Sequence, residues 1–382
     1  MKKLIICLVS CLLLIALMCI TIAAEEETDT LTQLPSEYTD LLDSLPEEIV
    51  DLLPPSLFSS SSEEVGAGTG EMADLSYLLQ AVLSLVGLRL GDCAKLLAAT
   101  VGLLLLSAIC NAIKTAFRTE SIARTISFLS SLIITLSILS VGYQSIRTVT
   151  SYFETLSDIT VALIPLMGVL YAMGGNVTAA VASTSGLSLF LAVLEEIVSK
   201  SIVPFCGICL AFALIRALDP SIRLGTLADT IKKNYTTLLA FLMMLLSAML
   251  AAQTTLGAGK DGIAMRSAKF AAGNMIPVVG GSVAELLRTV STGVGYLRGT
   301  VGICAVLLLL LTLLPTLIEL LLVRLTWQIC ASVADLLGCD SEKKLLDEIA
   351  CLSGYLVTAV AICSSVVLLA VSLLIHCTAA FG

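Results

Sequence analysis

The sequence predicts an all-α, polytopic membrane protein with six to eight spans, an N-terminal signal peptide and broken or re-entrant Pro-Gly segments. Three observations carry this. The 382-residue chain is 57% hydrophobic and only 13% charged, with a mean hydropathy of +1.01, whereas soluble domains are about half apolar and about a quarter charged. Several uncharged runs reach the roughly 20 residues that cross a bilayer core. Charge is also unevenly placed: residues 25–74 hold 14 of the 30 acidic residues and no Lys or Arg. The remaining 75–382 carries 16 acids against 19 bases, so the net charge of −9 describes the N-terminal segment and not the membrane part.

Residues 1–24 have Lys2 and Lys3, an apolar core from Leu4 to Ile20, then Thr21-Ile22-Ala23-Ala24 before a run of Glu. That is a secretory signal pattern with cleavage after Ala24, or an uncleaved anchor, because the core is long and Ile22 is an imperfect −3 residue. Both readings put the acidic segment outside the cytoplasm. Residues 25–74 mix acids, Ser59–Ser62 and Pro35, Pro46, Pro54 and Pro55, and read as a low-complexity, largely disordered extracytoplasmic segment with short Leu-rich pieces. The membrane domain is expected to fill 75–382. It opens with an interfacial helix, apolar at 75, 78, 79, 82, 83 and 86, which is helical spacing.

The clearest spans are 96–113, 126–146, 201–218, 235–256, 301–323 and 352–376. Residues 159–194 add a two-helix hairpin turning at Gly174-Gly175-Asn176, or a re-entrant pair. Positive charge collects on the cytoplasmic side. With the N-terminus outside, Lys114, Arg118, Arg124, Arg223, Lys232, Lys233, Lys343 and Lys344 fall inside. Lys260, Arg266, Lys269, Arg288 and Arg298 are the exception, and would lie outside if their stretch never enters the membrane.

A weak duplication relates 126–216 to 235–325. Ile164-Pro165-Leu166-Met167-Gly168 and Ile276-Pro277-Val278-Val279-Gly280 share Ile-Pro-x-x-Gly, and Pro204 lands one residue from Pro315 under the same offset. Interrupted helices in matching places are how transport folds build a pathway, although an apolar alphabet also generates such matches by chance. Pro165, Gly168, Gly174, Gly175, Pro204 and Pro315 are therefore the expected helix breaks.

The stretch 269–302 fits neither a plain span nor a loop. It holds Lys269, a Pro and five Gly between Gly273 and Gly295, and irregular backbone at membrane depth survives only in protein or beside a wet cavity. Residues 283, 286, 287, 290, 294 and 297 form one apolar helical stripe, with Glu285, Arg288 and Thr292 opposite. The reading is a turn at Pro277–Gly281 feeding an amphipathic helix. Its polar side faces a pore or partner subunit, or the helix lies at the interface with Arg288 snorkelling.

Ionisable residues inside spans are costly and are functional suspects. Glu319 lies mid-span, and its five-residue spacing to Arg324 does not suit an intrahelical pair. Its expected partner is on another helix or subunit, with Arg216 as the candidate, and its role is a proton-relay carboxylate or a buried packing contact. The thirteen Cys lie mainly in apolar runs and read as small hydrophobes. Cys206-x-x-Cys209 lacks a second pair for zinc, and the single His376 supplies no metal cluster or triad. No phosphate loop, nucleophile elbow or H-E-x-x-H is present, and no basic, aromatic-rich surface suggests nucleic acid.

At 269–302 the sequence resembles the stage III sporulation protein AE family of endospore-forming bacteria. The resemblance rests on Lys269, the Ile276-Pro277-Val278-Val279-Gly280-Gly281 core and the Gly/Thr-rich run to Gly302, and on the order of parts. Arg288 and Arg298-Gly299 depart from the family pattern. The resemblance implies a non-enzymatic, multi-pass subunit of a secretion-like channel in the mother-cell membrane around the forespore, without cofactors. The implied partners are a cytoplasmic ATPase, small membrane subunits, ring-forming proteins and a forespore-side docking protein. The turn and amphipathic helix read from the residues themselves mark Lys269, Ile276, Pro277, Gly280, Gly281, Arg288 and Arg298 as a gate or contact segment. The alternative is a stand-alone secondary transporter of a small solute with Glu319 as the coupling carboxylate.

Overall fold

The computed structural model describes residues 34–116, 120–173 and 280–379, with helical positions between 181 and 252 that include 201–218 and 229–246. Among these residues the regular elements are helical. They are α1 (Glu37–Asp43), α2 (Glu47–Val50), a 3₁₀ turn (Pro55–Phe58), α3 (Ser62–Ala73), α4 (Leu75–Ala116), α5 (Glu120–Met173), α6 (Val203–Leu218), α7 (Gly280–Leu336) and α8 (Asp340–Ala379).

The centre of the fold is the hairpin of α7 and α8. Its turn is chemically determined: Gly338 adopts φ +69°, a backbone that L side chains resist. Gly338 N–H donates to Asp335 O and Cys339 N–H to Ala334 O, at 3.1 and 2.9 Å, the paired bonds that close a helix end around a left-handed glycine. In their most apolar windows both arms are apolar on all sides, so these parts must be enclosed by protein or lipid. Here protein encloses most of them: the spans Gly299–Leu336 and Asp340–Ser372 are 78% buried within the chain over their most apolar windows.

Four helical stretches among the described residues are long and apolar enough to cross a membrane: Ser76–Cys110, Tyr143–Leu170, Gly299–Leu336 and Asp340–Ser372. Their bounds differ from the expected spans. The interfacial helix and the 96–113 span form one helix, α4. The 126–146 span continues through Pro165 to Met173 as α5, and α7 continues through Pro315. A proline inside a helix removes one hydrogen bond and crowds the preceding turn. Neighbouring helices and long helical flanks hold the backbone in place despite that local loss. Pro165 and Pro315 are therefore not breaks. Pro204 is the second residue of α6 and directly follows π-helical positions 201–202, so the helical run changes its winding next to this proline and continues past it. Gly174 and Gly175 lie outside the described residues, directly after the end of α5.

The acidic segment differs most from expectation. Its described part, 34–74, is folded and not a disordered linker. Tyr38, Leu41, Leu42, Leu45, Ile49, Leu53, Leu57, Val65 and Met72 are all buried, and the acids between them point outward. Composition averages the two populations, whereas apolar spacing at 38, 41, 42, 45 and 49 places one face inward. Tyr38 Oη donates to Leu57 O at 3.0 Å and lies 3.7 Å from Cys304 Sγ of α7. Burial, with Cys304 beside it, holds this phenol protonated well above the usual tyrosine range. Tyr77 of α4 donates to Leu52 O, tying the module to the helix that follows it. Module helix α1 packs on α5, and α3 packs on α7.

Candidate functional site

Glu319 sits on α7 one turn beyond Pro315, and three other elements converge on it. Arg89 of α4 brings its Nε to 3.7 Å from Glu319 Oε2. Thr148 of α5 donates its Oγ1 hydrogen to Glu319 Oε1 at 2.9 Å. The same guanidinium also binds Glu48 of the N-terminal module, with Nη2 at 2.8 Å from Oε2 and 3.1 Å from Oε1. One arginine thus bridges two carboxylates from opposite ends of the chain, and a hydroxyl holds the far side of one of them.

The local folding explains the convergence. The α4 helix starts one residue after α3, so the module that carries Glu48 returns alongside the helix that carries Arg89. Helices α4 and α7 then run side by side: beyond Arg89–Glu319, Ser107 Oγ donates to Glu342 Oε1 at 2.7 Å, at the hairpin's turn. On the other side of α7, α5 contributes Thr148, and four residues later Tyr152, whose hydroxyl is 2.5 Å from Ser364 Oγ of α8. The node therefore fastens the module, α4 and α5 to the hairpin at one level.

The side chains are partly open, at 24% exposure for Glu319, 29% for Arg89 and 58% for Glu48. This arrangement satisfies a carboxylate with a cation and a hydroxyl donor, as buried charge requires. It can hold elements together or carry a charge at a defined position. Among the described residues no group of three His, Cys, Asp or Glu could hold a metal ion.

Of the expected site residues, the structure brings Glu319 into a polar cluster whose members Arg89, Thr148 and Glu48 the sequence reading had not chosen. A signal existed: Arg89 is the only base in the apolar run from 75 to 94. Arg216 lies near the end of α6, and its side chain is outside the described residues. Lys269, Ile276 and Pro277 are likewise outside them. Gly280 and Gly281 begin α7, and Arg288 and Arg298 lie within it, their side chains not described. The helix expected after the Pro-Gly turn is thus continuous with the 301–323 span. Gly168 is a point of close approach inside a helix: a Cβ there would come within 2.9 Å of Thr184 Cγ2.

A family model described as stage III sporulation protein AE matches residues 59–378. Stage III sporulation protein AE of Bacillus subtilis (strain 168) is 25% identical over 282 residues, covering 74% of this chain and 70% of the relative. No solved structure matches.

Proposed function

This chain belongs to the stage III sporulation protein AE family, and we propose from that premise that it is a non-enzymatic, multi-pass subunit of a secretion-like channel between mother cell and forespore. In this reading it serves as the membrane conduit or its scaffold, in the mother-cell membrane, with the 34–74 module on the extracytoplasmic side. Six to eight crossings and the N-terminal signal belong to the same reading. Its partners are the other stage III proteins: a cytoplasmic ATPase, small membrane subunits, ring-forming proteins and a forespore-side docking protein.

The observation that carries the reading is the extent of the family match, which starts just before the last helix of the N-terminal module and runs to within a residue of the end of α8. The geometry supports a scaffold. Glu319 is engaged by Arg89 and Thr148, which suits a fastening contact better than a carboxylate awaiting a proton. The segment from Gly280 into α7 remains the proposed gate or contact surface.

The test is genetic and biochemical. Deleting the gene in the spore-forming host should leave vegetative growth intact and abolish most heat-resistant spores, and the tagged protein should co-purify with other stage III proteins. Normal spore counts after deletion would overturn the proposal. Solute uptake by the purified protein alone in proteoliposomes, lost on Glu319→Gln, would establish the transporter instead.

A further inference from the structure

A second buried charge pair lies away from the Glu319 node. Lys232 Nζ is 2.6 Å from Glu348 Oε2, with the lysine side chain 1% exposed and the glutamate 13%. Lys232 stands on the helical stretch 229–246 and Glu348 on α8. Lys232 is one of the bases expected on the cytoplasmic side, and the structure buries it in a helix contact.

The pair joins two bodies. On one side, α6 and 229–246 are locked together through Tyr235: its ring stacks on Phe205 at 3.9 Å and 11°, and its hydroxyl accepts from Ser201 at 2.8 Å. On the other side, α8 belongs to the hairpin. Between them lies an apolar cavity lined by Phe205, Cys206, Tyr235, Tyr355 and Leu356.

An ion pair is a poor way to hold such a contact if stability were its only purpose. Removing two charges from water costs several kcal/mol per ion, and apolar residues of the same volume hold a helix contact as well or better. The best-attested use of a buried pair is to fix a register or to switch between two arrangements. The burial is also lopsided. An opened pair would leave Lys232 enclosed without a counter-charge, so half-open positions are disfavoured and opening requires the lysine to leave its enclosure.

We propose that Lys232–Glu348 is a conformational latch, holding the unit of α6 and 229–246 against the α7–α8 hairpin in one register and releasing it when the pair opens. Function then depends on the charges, not only on the volume they fill. The test uses the full chain expressed in the sporulating host and purified from its membranes. K232M and E348M should each lower thermal stability and spore yield. The double variant K232M/E348M should regain stability yet stay at least about tenfold below wild type in spore yield, within the usual size of a coupling between sites. The swap K232E/E348K should restore much of both. If K232M/E348M restores spore yield together with stability, the pair is packing alone and the proposal falls.

A second readout does not depend on the double variant folding. With the native cysteines replaced, spin labels at Phe241 of the 229–246 stretch and at Leu336 of the hairpin, both exposed, should report one distance while the pair is closed. E348Q, which keeps the shape and removes the charge, should add a second, longer distance population. A single unchanged distance overturns the latch even if the sporulation role stands, and a second population upholds it even if deletion of the gene spares sporulation.

Discussion

Two parts of the molecule look alike in sequence and sit in opposite surroundings. The α7–α8 hairpin and α4 are all long apolar helices, yet the most apolar windows of the hairpin are 78% buried within the chain and that of α4 only 17%. Leu308, Leu311, Val360 and Val367 of the hairpin are essentially inaccessible, while Leu83, Leu88 and Ile109 of α4 are 57–72% exposed. Hydropathy measures the wish to leave water and does not say whether lipid or protein receives the side chain. The hairpin is a protein core with the length of a span. The α4 helix leaves its apolar face uncovered within the chain.

The sharpest way to break this contrast is to truncate matched leucines. Leu311→Ala, at a fully buried position, should cost about 2–5 kcal/mol, because the transfer and cavity terms add. Leu106→Ala, 54% exposed on α4, should stay within about 0.5 kcal/mol. Unfolding curves in one detergent would decide it. Equal losses would mean that α4 is covered even in the isolated chain.

Glycines give the next largest effect. A Cβ on Gly68 of the module would collide with Ser56 Oγ and come within 3.2 Å of Leu57 Cδ2. Gly68→Ala should therefore destabilise by about 1–3 kcal/mol, as overpacking does, and Ser56→Gly in the same chain should recover part of it. Gly87 of α4 has nothing within 4 Å, so Gly87→Ala should stabilise by up to about 1 kcal/mol through helix propensity. A loss at Gly87 in the purified chain would show that a second molecule already packs there.

A smaller effect is expected at the tyrosines. Tyr152→Phe removes the buried contact with Ser364 and should cost about 1 kcal/mol. Tyr143→Phe, 54% exposed on the same helix, should be silent by the same melting measurement.

The charges rank last. Arg89→Ala breaks a node whose side chains are 24% to 58% exposed, so its cost should not exceed about 1 kcal/mol after solvent screening. Lys95→Ala removes a pair with Asp92 that is 82% and 69% exposed, and should produce no measurable change. An Arg89 loss well above that bound would mean that the module is held chiefly by this one guanidinium. Limited proteolysis of residues 34–74 would then rise in parallel.

The elements and their partners were unequally legible in the residues. Helical character was visible throughout, and the family could be recognised from the segment around Ile276–Gly281. The reach of α5 and α7 was not, because Pro165 and Pro315 carry the local signature of a break and only the flanking helices override it. The module at 34–74 was hidden by its own acids, which dominate composition while the buried stripe through Tyr38, Leu41 and Leu45 carries the fold. Glu319 was found because a carboxylate in an apolar run is conspicuous. Its partners Arg89 and Thr148 lie 230 and 171 positions away in the chain, and spacing rules reach only a turn or two.

Helix formation in the apolar segments, the Gly338 turn and the concentration of acid before residue 75 are local matters, settled by side-chain chemistry over a few residues. Which apolar helix is wrapped by protein, and which carboxylate meets which base, depends on how elements far apart in the chain pack together. Burial and Coulomb energy act between groups brought close in space, and proximity of that kind exists only once the chain has folded.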